Sequence, residues 1–547
     1  MAVKKQSFMN GVLVIMVSQI LIKVFGFIYR VILTNFKQFS DTGNSYYGSG
    51  FTVYTLILAV ATMGIPNTIS KLVSEKIAIG DKRGAHRIFR TAMYVFTFVG
   101  VMFALMLFFG AGFISNTILS NPGVKYTLMA LAPAIIFVAM SAVLRGYFVG
   151  MGNMMEYSKA QIIEQIVNSA FSIIFVVMLL GKTPEIMAAG STLATTVAAS
   201  TAFFYMLTYY SRNKKDIWKD IEKSEKFAIT PRKTIVKKLI SYVIPISFGS
   251  VVVALSNVID TVTVMNGLQS FGLTLEEANR QNGILLGKVD ILMSVPLSIN
   301  VAFSVALVPF ISSAMAKKNK EAAVNKINFS LKTSVLIALP CAAGMFLLAN
   351  NIFALIFPNA TEGAWLLQIQ CWVLVFSVVA QTIYGSLQGL GKLYVPGICL
   401  LSGAIVKYIL NVIFIPKYGI IVPTITTIIY QAITCTLSFI ILFKTLKEVP
   451  NMKEILIKPV FATFLMAICT FLCNKGLGYI NTPTSLNTIL TILFAIASYA
   501  FVLVKFNILS NEEIMQLPYG NKICKIIDKK KKKSKKCKKS VDNSLCL

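Results

Sequence analysis

Apolar runs of about 20 residues, the length that carries a helix across a hydrocarbon core of roughly 30 Å, recur along almost the whole chain. They fall at residues 9–34, 44–70, 88–114, 125–149, 157–181, 186–211, 238–265, 283–315, 327–356, 364–390, 395–415, 418–443, 455–474 and 486–508. So much contiguous apolar surface cannot be buried in one water-soluble core. Lipid offers no partners for open backbone groups, so each run must close its hydrogen bonds internally, as a helix. The pattern predicts an all-α polytopic membrane protein with 14 transmembrane helices. Composition agrees: of 547 residues, 56% are hydrophobic and only 14% charged, and the mean hydropathy is +0.72.

The charges are strongly unbalanced, with 52 Lys and Arg against 22 Asp and Glu, a formal net charge of +30. Their placement excludes a nucleic-acid binder, which would show a basic face on a soluble fold. The cations instead crowd into alternate connections. Residues 212–238 hold Arg212, Lys214, Lys215, Lys219, Lys223, Lys226, Arg232, Lys233, Lys237 and Lys238, and residues 444–458 hold Lys444, Lys447, Lys453 and Lys458. The connection at 266–282 carries Glu276, Glu277 and Arg280. This is the positive-inside pattern. With an even number of spans it predicts a multi-pass protein of the cell membrane with both termini cytoplasmic. The first run follows Lys4 and Lys5 and is too long for a signal-peptide core, so it reads as a retained span. The lysine run from Lys529 to Lys539 reads as a basic tail that attracts anionic membrane lipids.

The cysteines lie in spans (Cys341, Cys371, Cys399, Cys435, Cys469, Cys473) or in the tail (Cys524, Cys537, Cys546), which predicts no disulfide framework. The single histidine, His86, reads as a residue of a basic loop and not as a metal ligand. No metal site and no cofactor is expected. The segment GSLQGLGKL (385–393) resembles a phosphate loop only faintly, because its spacing is wrong and Leu393 follows the lysine. No connection is long enough for a catalytic domain, and no nucleophile–base pair stands out. The chain therefore reads as a transporter and not as an enzyme.

Two halves repeat. Residues 144–152 read LRGYFVGMG and residues 383–391 read IYGSLQGLG, so Gly146, Gly150 and Gly152 align with Gly385, Gly389 and Gly391 at one constant offset. Span two ends GIPNTIS and span eight ends LVPFISS, which sets Pro66 opposite Pro309. Six spans per half make the repeats parallel, a common transporter plan with the site between the halves. The expected organisation is a six-helix lobe at 1–225, a second at 226–447, helices 13 and 14 at 448–510 and the basic tail at 511–547. The paired Gly-x-x-x-Gly patterns predict close helix packing or a hinge.

Ionisable groups inside spans are the candidate functional residues, since a charge at mid-span costs about 2.5–3.5 kcal/mol by insertion scales. Span one carries Lys23 and Arg30, seven residues apart and so on one face. Span four carries Arg145, span five Glu164, span seven Asp260, span eight Lys288 and Asp290, span nine Lys332 and span eleven Lys407. Most are cations, which favours an anionic substrate such as a phosphate or pyrophosphate. Lys23, Arg30, Arg145 and Lys288 are the expected substrate-binding set. Glu164, Asp260 and Asp290 are expected to balance charge or to hold a coupling ion.

The span plan, together with SQILIKVFGFIYRVIL (18–33), GIPNTISKLVSEK (64–76) and RGYFVGMGNM (145–154), resembles the multidrug/oligosaccharidyl-lipid/polysaccharide exporter superfamily. Within it the chain is most similar to the polysaccharide-biosynthesis and stage V sporulation branch, which is related to the lipid II flippases. The resemblance covers essentially residues 5–510. It implies alternating access, with a lipid-linked oligosaccharide presenting its pyrophosphate to a cationic cavity between spans one, two, seven and eight. Its polyprenyl tail would lie along spans thirteen and fourteen. The flippase branch carries Arg-Val-x-Gly-Phe-x-Arg in span one. Here Lys23, Val24, Gly26 and Phe27 fit, Tyr29 stands at the second arginine position, and Arg30 follows one residue later. The arginine that the branch carries five residues before the span-eight proline is matched by Ile291, with Lys288 one turn earlier. The expected function is translocation of an undecaprenyl-pyrophosphate-linked glycan, lipid II foremost, from inner to outer leaflet. The chain is expected to act as a monomer, alongside cell-wall synthesis machinery. Two alternatives remain open: a cation-coupled multidrug exporter of the same superfamily, and a non-transporting scaffold of envelope or spore-wall assembly.

Overall fold

A computed structural model describes residues 8–224, 227–447, 453–480, 482–506, 508 and 513. The lysine-rich tail and its three cysteines lie outside the described residues. Among the described residues the secondary structure is helical, with no strand. We number the segments α1 (Phe8–Thr34), α2 (Ser40–Ala78), α3 (Lys82–Ile118), α4 (Val124–Gly150), α5 (Met154–Met178), α6 (Pro184–Glu222), α7 (Arg232–Ser270), α8 (275–316), α9 (Lys320–Ile356), α10 (364–389), α11 (Val395–Tyr418), α12 (Ile421–Leu446), α13 (Lys453–Tyr479) and α14 (Thr484–Lys505). Eleven of these are long and apolar enough to cross a membrane, or twelve when the two parts of α10, bent by 42°, count as one span. The helices Phe8–Thr34 and Asp290–Ala316 stand at the places of the first and eighth expected spans but are not in that set. The expected count of 14 is therefore not established, while the polytopic all-helical architecture is.

Three segments depart from straight spans, each with a local cause. The second is broken at 62–64, where Gly64 stands before Ile65 and Pro66 at the restart, Ile65–Ala78. A Cβ on Gly64 would lie 2.6 Å from Ser247 Oγ and 2.7 Å from the Val243 carbonyl of α7, so the break lets two helices touch backbone to side chain. In α8, Leu275–Ile284 passes into Asp290–Ala316 through a π-helical turn, Leu285–Val289. Such turns re-aim side chains within a helix, and this one carries Lys288. In α10 the bend separates Ala364–Gln370 from Val373–Gly389.

The glycine repeat has a direct structural meaning. A Cβ on Gly146 would lie 2.8 Å from the Pro66 carbonyl, and one on Gly150 would lie 2.8 Å from Val73, so α4 rests on the second part of α2. In the later helices a Cβ on Gly385 would lie 2.7 Å from the Ser304 carbonyl and one on Gly389 would lie 2.8 Å from Ile311, so α10 rests on α8 in the same manner. Gly152 and Gly391 both take φ +82, a left-handed conformation that a side chain would strain. Pro66 is thus a direct contact of the glycine stripe. The side chain of Pro309 lies outside the described residues. His86 departs from its expected place: α3 begins at Lys82, more than one turn before the apolar run at 88–114, and takes His86 into an aromatic cluster with Phe89, Tyr147, Tyr210 and Trp218 at 5% exposure.

Overpacking a close helix contact costs about 1–3 kcal/mol. Gly146→Leu and Gly385→Leu are expected to lower the Tm of the purified protein in thermal unfolding. Gly249→Ala, whose Cβ would meet nothing within 4 Å, is expected to leave Tm unchanged or raise it.

Candidate functional site

Hydrogen bonds between the first six helices and the next six gather at the end of the bundle opposite the basic connections. The centre of this network is the ion pair between Lys288 of α8 and Asp41 at the start of α2. Lys288 is 0% exposed. Its Nζ donates to Asp41 Oδ2 at 2.8 Å and to the Glu362 carbonyl at 3.1 Å. Around it Ser45 donates to Asn279 Oδ1 (2.7 Å), Asn121 donates to the same oxygen (2.7 Å), and Asn282 donates to Ser45 Oγ (2.9 Å). Asn35 donates to the Ile356 carbonyl at 2.8 Å, and Gln269 donates to the Ser120 carbonyl at 2.9 Å. The helices can approach because α8 presents glycine to α2: a Cβ on Gly283 would sit 1.7 Å from the Asp41 carbonyl, and one on Gly287 would sit 2.4 Å from Asn44. On the outer rim Arg280 pairs with Glu277 and Glu362 and holds the Glu277 carboxyl below the ordinary glutamate range.

Arg30 lies on the inner flank of this seal, 9% exposed. Its guanidinium stacks over the Tyr47 ring at 4.1 Å, and Nη2 donates to the Leu286 carbonyl at 3.4 Å. Tyr47 is fixed in turn by the Tyr29 hydroxyl at 2.9 Å. Nη1 of Arg30 is buried and has no hydrogen-bond partner among the described residues. Arg30 is therefore held in place by an aromatic ring and a carbonyl and not by a carboxylate.

A cavity of about 360 Å³ opens beside this region, walled by α7, α8, α10, α11 and α12 with Thr52 of α2. Its charged lining is Asp260, Asp290 and Lys407. Lys407 donates to Asp260 Oδ2, and its ammonium also faces the Tyr430 ring at 5.2 Å. Asn411 donates to Thr263 Oγ1 at 2.9 Å and accepts from Thr426 Oγ1 at 2.6 Å, which orients the pair. Asp290 accepts from Gln370 Nε2 at 2.9 Å. Asp290 and Lys288, two residues apart, face different partners.

The structure disperses the expected cationic set. None of Lys23, Arg30, Arg145 and Lys288 lines the 360 Å³ cavity. Lys288 is enclosed by Asp41. Arg145 is paired with Glu164 inside the first six helices, 5.9 Å over the Tyr157 ring. Lys23 is exposed on α1, on the same face as Arg30. Among the acidic residues, Glu164 balances Arg145, Asp260 balances Lys407, and Asp290 faces the cavity with an amide and, among the described residues, no cation bonded to it. Sequence reasoning missed Asp41, Tyr47, Asn279 and Gln370. The signal for Asp41 was the polar start of α2, SDTGNSYYGSG (40–50), which is too polar for a lipid-facing turn and so must be buried in protein.

Two outcomes check this geometry. Removing one partner of a buried ion pair costs about 3–5 kcal/mol, whereas replacing both is close to neutral. Asp41→Leu is accordingly expected to lower Tm sharply, and Asp41→Leu with Lys288→Met to recover most of the loss. Gly283→Val is expected to part α8 from α2, so that a thiol at Ser45→Cys, protected from maleimide in the parent, becomes reactive.

Comparison with known proteins places this geometry in context. The family model described as polysaccharide biosynthesis protein matches residues 8–315, and the MatE model matches residues 289–413. The chain is 24% identical over 524 residues to stage V sporulation protein B of Bacillus subtilis (strain 168), covering 94% of this chain and 98% of that one. It is 25% identical over 425 residues to the lipid II flippase MurJ of the same organism, covering 74% and 76%. A solved structure of the lipid II flippase MurJ in an inward closed conformation shares the fold, with a TM-score of 0.63 at 16% identity over 90% of this chain and 98% of that one.

Proposed function

We propose, starting from the fact that the chain belongs to the polysaccharide biosynthesis protein family and is a membrane transporter of the multidrug/oligosaccharidyl-lipid/polysaccharide superfamily, that its cargo is a lipid-linked glycan bearing a pyrophosphate. Lipid II, the cargo in the name of one relative, is the leading candidate. Residues 1–225 and 226–447 act as two lobes that rock about the site, residues 448–510 shelter the polyprenyl tail, and both termini lie in the cytoplasm. The glycan enters from the inner leaflet and leaves to the outer one.

The observation that carries this reading is Arg30. A guanidinium buried without a carboxylate is costly unless an anion joins it. Its free Nη1 can donate to a phosphate oxygen while Tyr47 keeps the plane of the fork fixed. Lys23, seven residues earlier on the same helix face, provides a second cation along the path. The sealed end at Asp41–Lys288 then serves as the outer gate, which must part before release. Arg145, paired with Glu164, acts by holding α4 to α5.

The acidic cavity favours one second reading. Asp260 and Asp290 would suit a cationic drug, and the MatE model covers α8 to α11. In that reading the chain is a cation-coupled multidrug exporter, and a drug-efflux measurement in cells lacking their own exporters tests it.

The decisive experiment is complementation of a strain depleted of its lipid II flippase, scored by growth and by surface exposure of labelled lipid II. The wild-type chain is expected to restore both. Arg30→Ala is expected to abolish rescue with normal expression and Tm, and Arg30→Lys to restore it partly, because a point charge replaces a bidentate fork. Full rescue by Arg30→Ala would falsify the role of this residue, and no rescue by the wild type would remove lipid II as cargo.

A further inference from the structure

A second pocket, of about 320 Å³, lies at the basic end of the bundle and takes no part in the path described above. Three segments build it: the first two turns of α3, the end of α6, and the linker at 227–232 that joins the first six helices to the next six. Arg83, Arg87, Arg90 and Arg232 line it, with Trp218 and Phe227 among its apolar walls.

The choice of cation is informative. Only eight of the 52 basic residues are arginine, namely Arg30, Arg83, Arg87, Arg90, Arg145, Arg212, Arg232 and Arg280. Half of them face this one pocket, and no lysine does. Membrane topology requires positive charge and is served equally by lysine, which this chain uses at nearly every other position of the basic end, Arg212 excepted. What arginine adds is a planar fork that meets two phosphate oxygens at once. No ion pair engages these four guanidiniums among the described residues, and one of their donors is left over. Nε of Arg87 is buried and has no hydrogen-bond partner among the described residues. The carboxylate in the wall, Asp81, is already used: it caps α3 by accepting from the Gly84 N–H at 2.7 Å and accepts from Lys76 Nζ at 2.8 Å. Four like charges thus converge with no carboxylate paired to any of them among the described residues, and His86, 5% exposed in the same wall, adds an aromatic floor.

We propose that this pocket binds the phosphate group of an anionic ligand, which pins the interlobe linker to the end of α3. The apolar walls fit the organic part of a phosphate ester. The same chemistry is offered by an anionic phospholipid headgroup and by a soluble phosphoryl compound. A ligand here ties Arg232, at the start of α7, to α3, so its binding restrains the motion of one six-helix set against the other. The site is thereby regulatory and separate from the cargo path through Arg30.

The test uses the full-length protein in neutral detergent or in phosphatidylcholine nanodiscs, with chymotryptic cleavage at Phe227 as the readout. One arm adds inorganic pyrophosphate in detergent, and the other replaces part of the phosphatidylcholine with phosphatidylglycerol. Cleavage is expected to slow in at least one arm, the first marking a soluble phosphoryl ligand and the second a headgroup. Arg87→Gln with Arg232→Gln is expected to weaken that protection about tenfold or more, the factor for losing a charge-assisted hydrogen bond. Lys214→Gln with Lys215→Gln, which removes the same charge outside the pocket, is expected to keep it. Because Arg30 is intact in every variant, the result stands apart from the transport assay. No protection in either arm overturns the proposal, and so does equal loss in the arginine and the lysine variants, which would mean diffuse charge alone.

Discussion

Lys288 sits at zero exposure in a helix of a membrane bundle, and that single fact organises one end of the molecule. An ammonium there is tolerable only with a counter-charge and further acceptors around it. Asp41 and the Glu362 carbonyl provide these. To bring Asp41 within reach, α2 must start with polar residues, α8 must present Gly283 and Gly287 to it, and the π-helical turn must aim Lys288 inward. The asparagine and serine bonds around Asn279 then close the same end. Each of these features is meaningful only because the ion pair is present.

The rest of the bundle rests on backbone-to-backbone proximity. Water contributes no hydrophobic drive between helices inside lipid, so packing of small residues carries association. The glycine stripes of α4 and α10 do this twice, against α2 and α8, in matching geometry. That correspondence explains why the repeat is sharp at a few glycines: apolar side chains facing lipid interchange freely, while a position whose Cβ would lie 2.8 Å from a carbonyl does not.

Charge in this protein divides into two kinds. Paired groups, Arg145 with Glu164 and Lys407 with Asp260, hold neighbouring helices together and leave little field outside. Groups short of a counter-ion among the described residues, Arg30 and the four arginines of the basic-end pocket, include two buried donors without a partner, Arg30 Nη1 and Arg87 Nε. The first kind is explained by the fold itself. The second calls for an anion, and the two instances lie at separate places, one on the proposed cargo path and one at the linker. Asp290, bonded to an amide in a polar cavity, is the opposite case and gives that cavity its acidic character.

Hydropathy alone determined the class and the order of the helices, though several helix ends run a turn or more beyond the apolar runs, because a backbone in lipid satisfies itself locally and each span is written in its own 20 or so residues. The glycine repeat was legible for the same reason, since close approach forbids a side chain whatever surrounds it. The partners of the buried charges were not legible. Lys288 and Asp41 are 247 residues apart, and Lys407 and Asp260 are 147 apart. Reading the cations of spans one, four and eight as one cavity assumed that like residues converge. Tertiary packing gave Arg145 and Lys288 each a counter-ion and Arg30 a ring, because a buried charge takes the nearest group that stabilises it, and left Lys23 exposed. His86 and its arginine neighbours show the same limit, since only the folded linker brings Arg232 onto the start of α3.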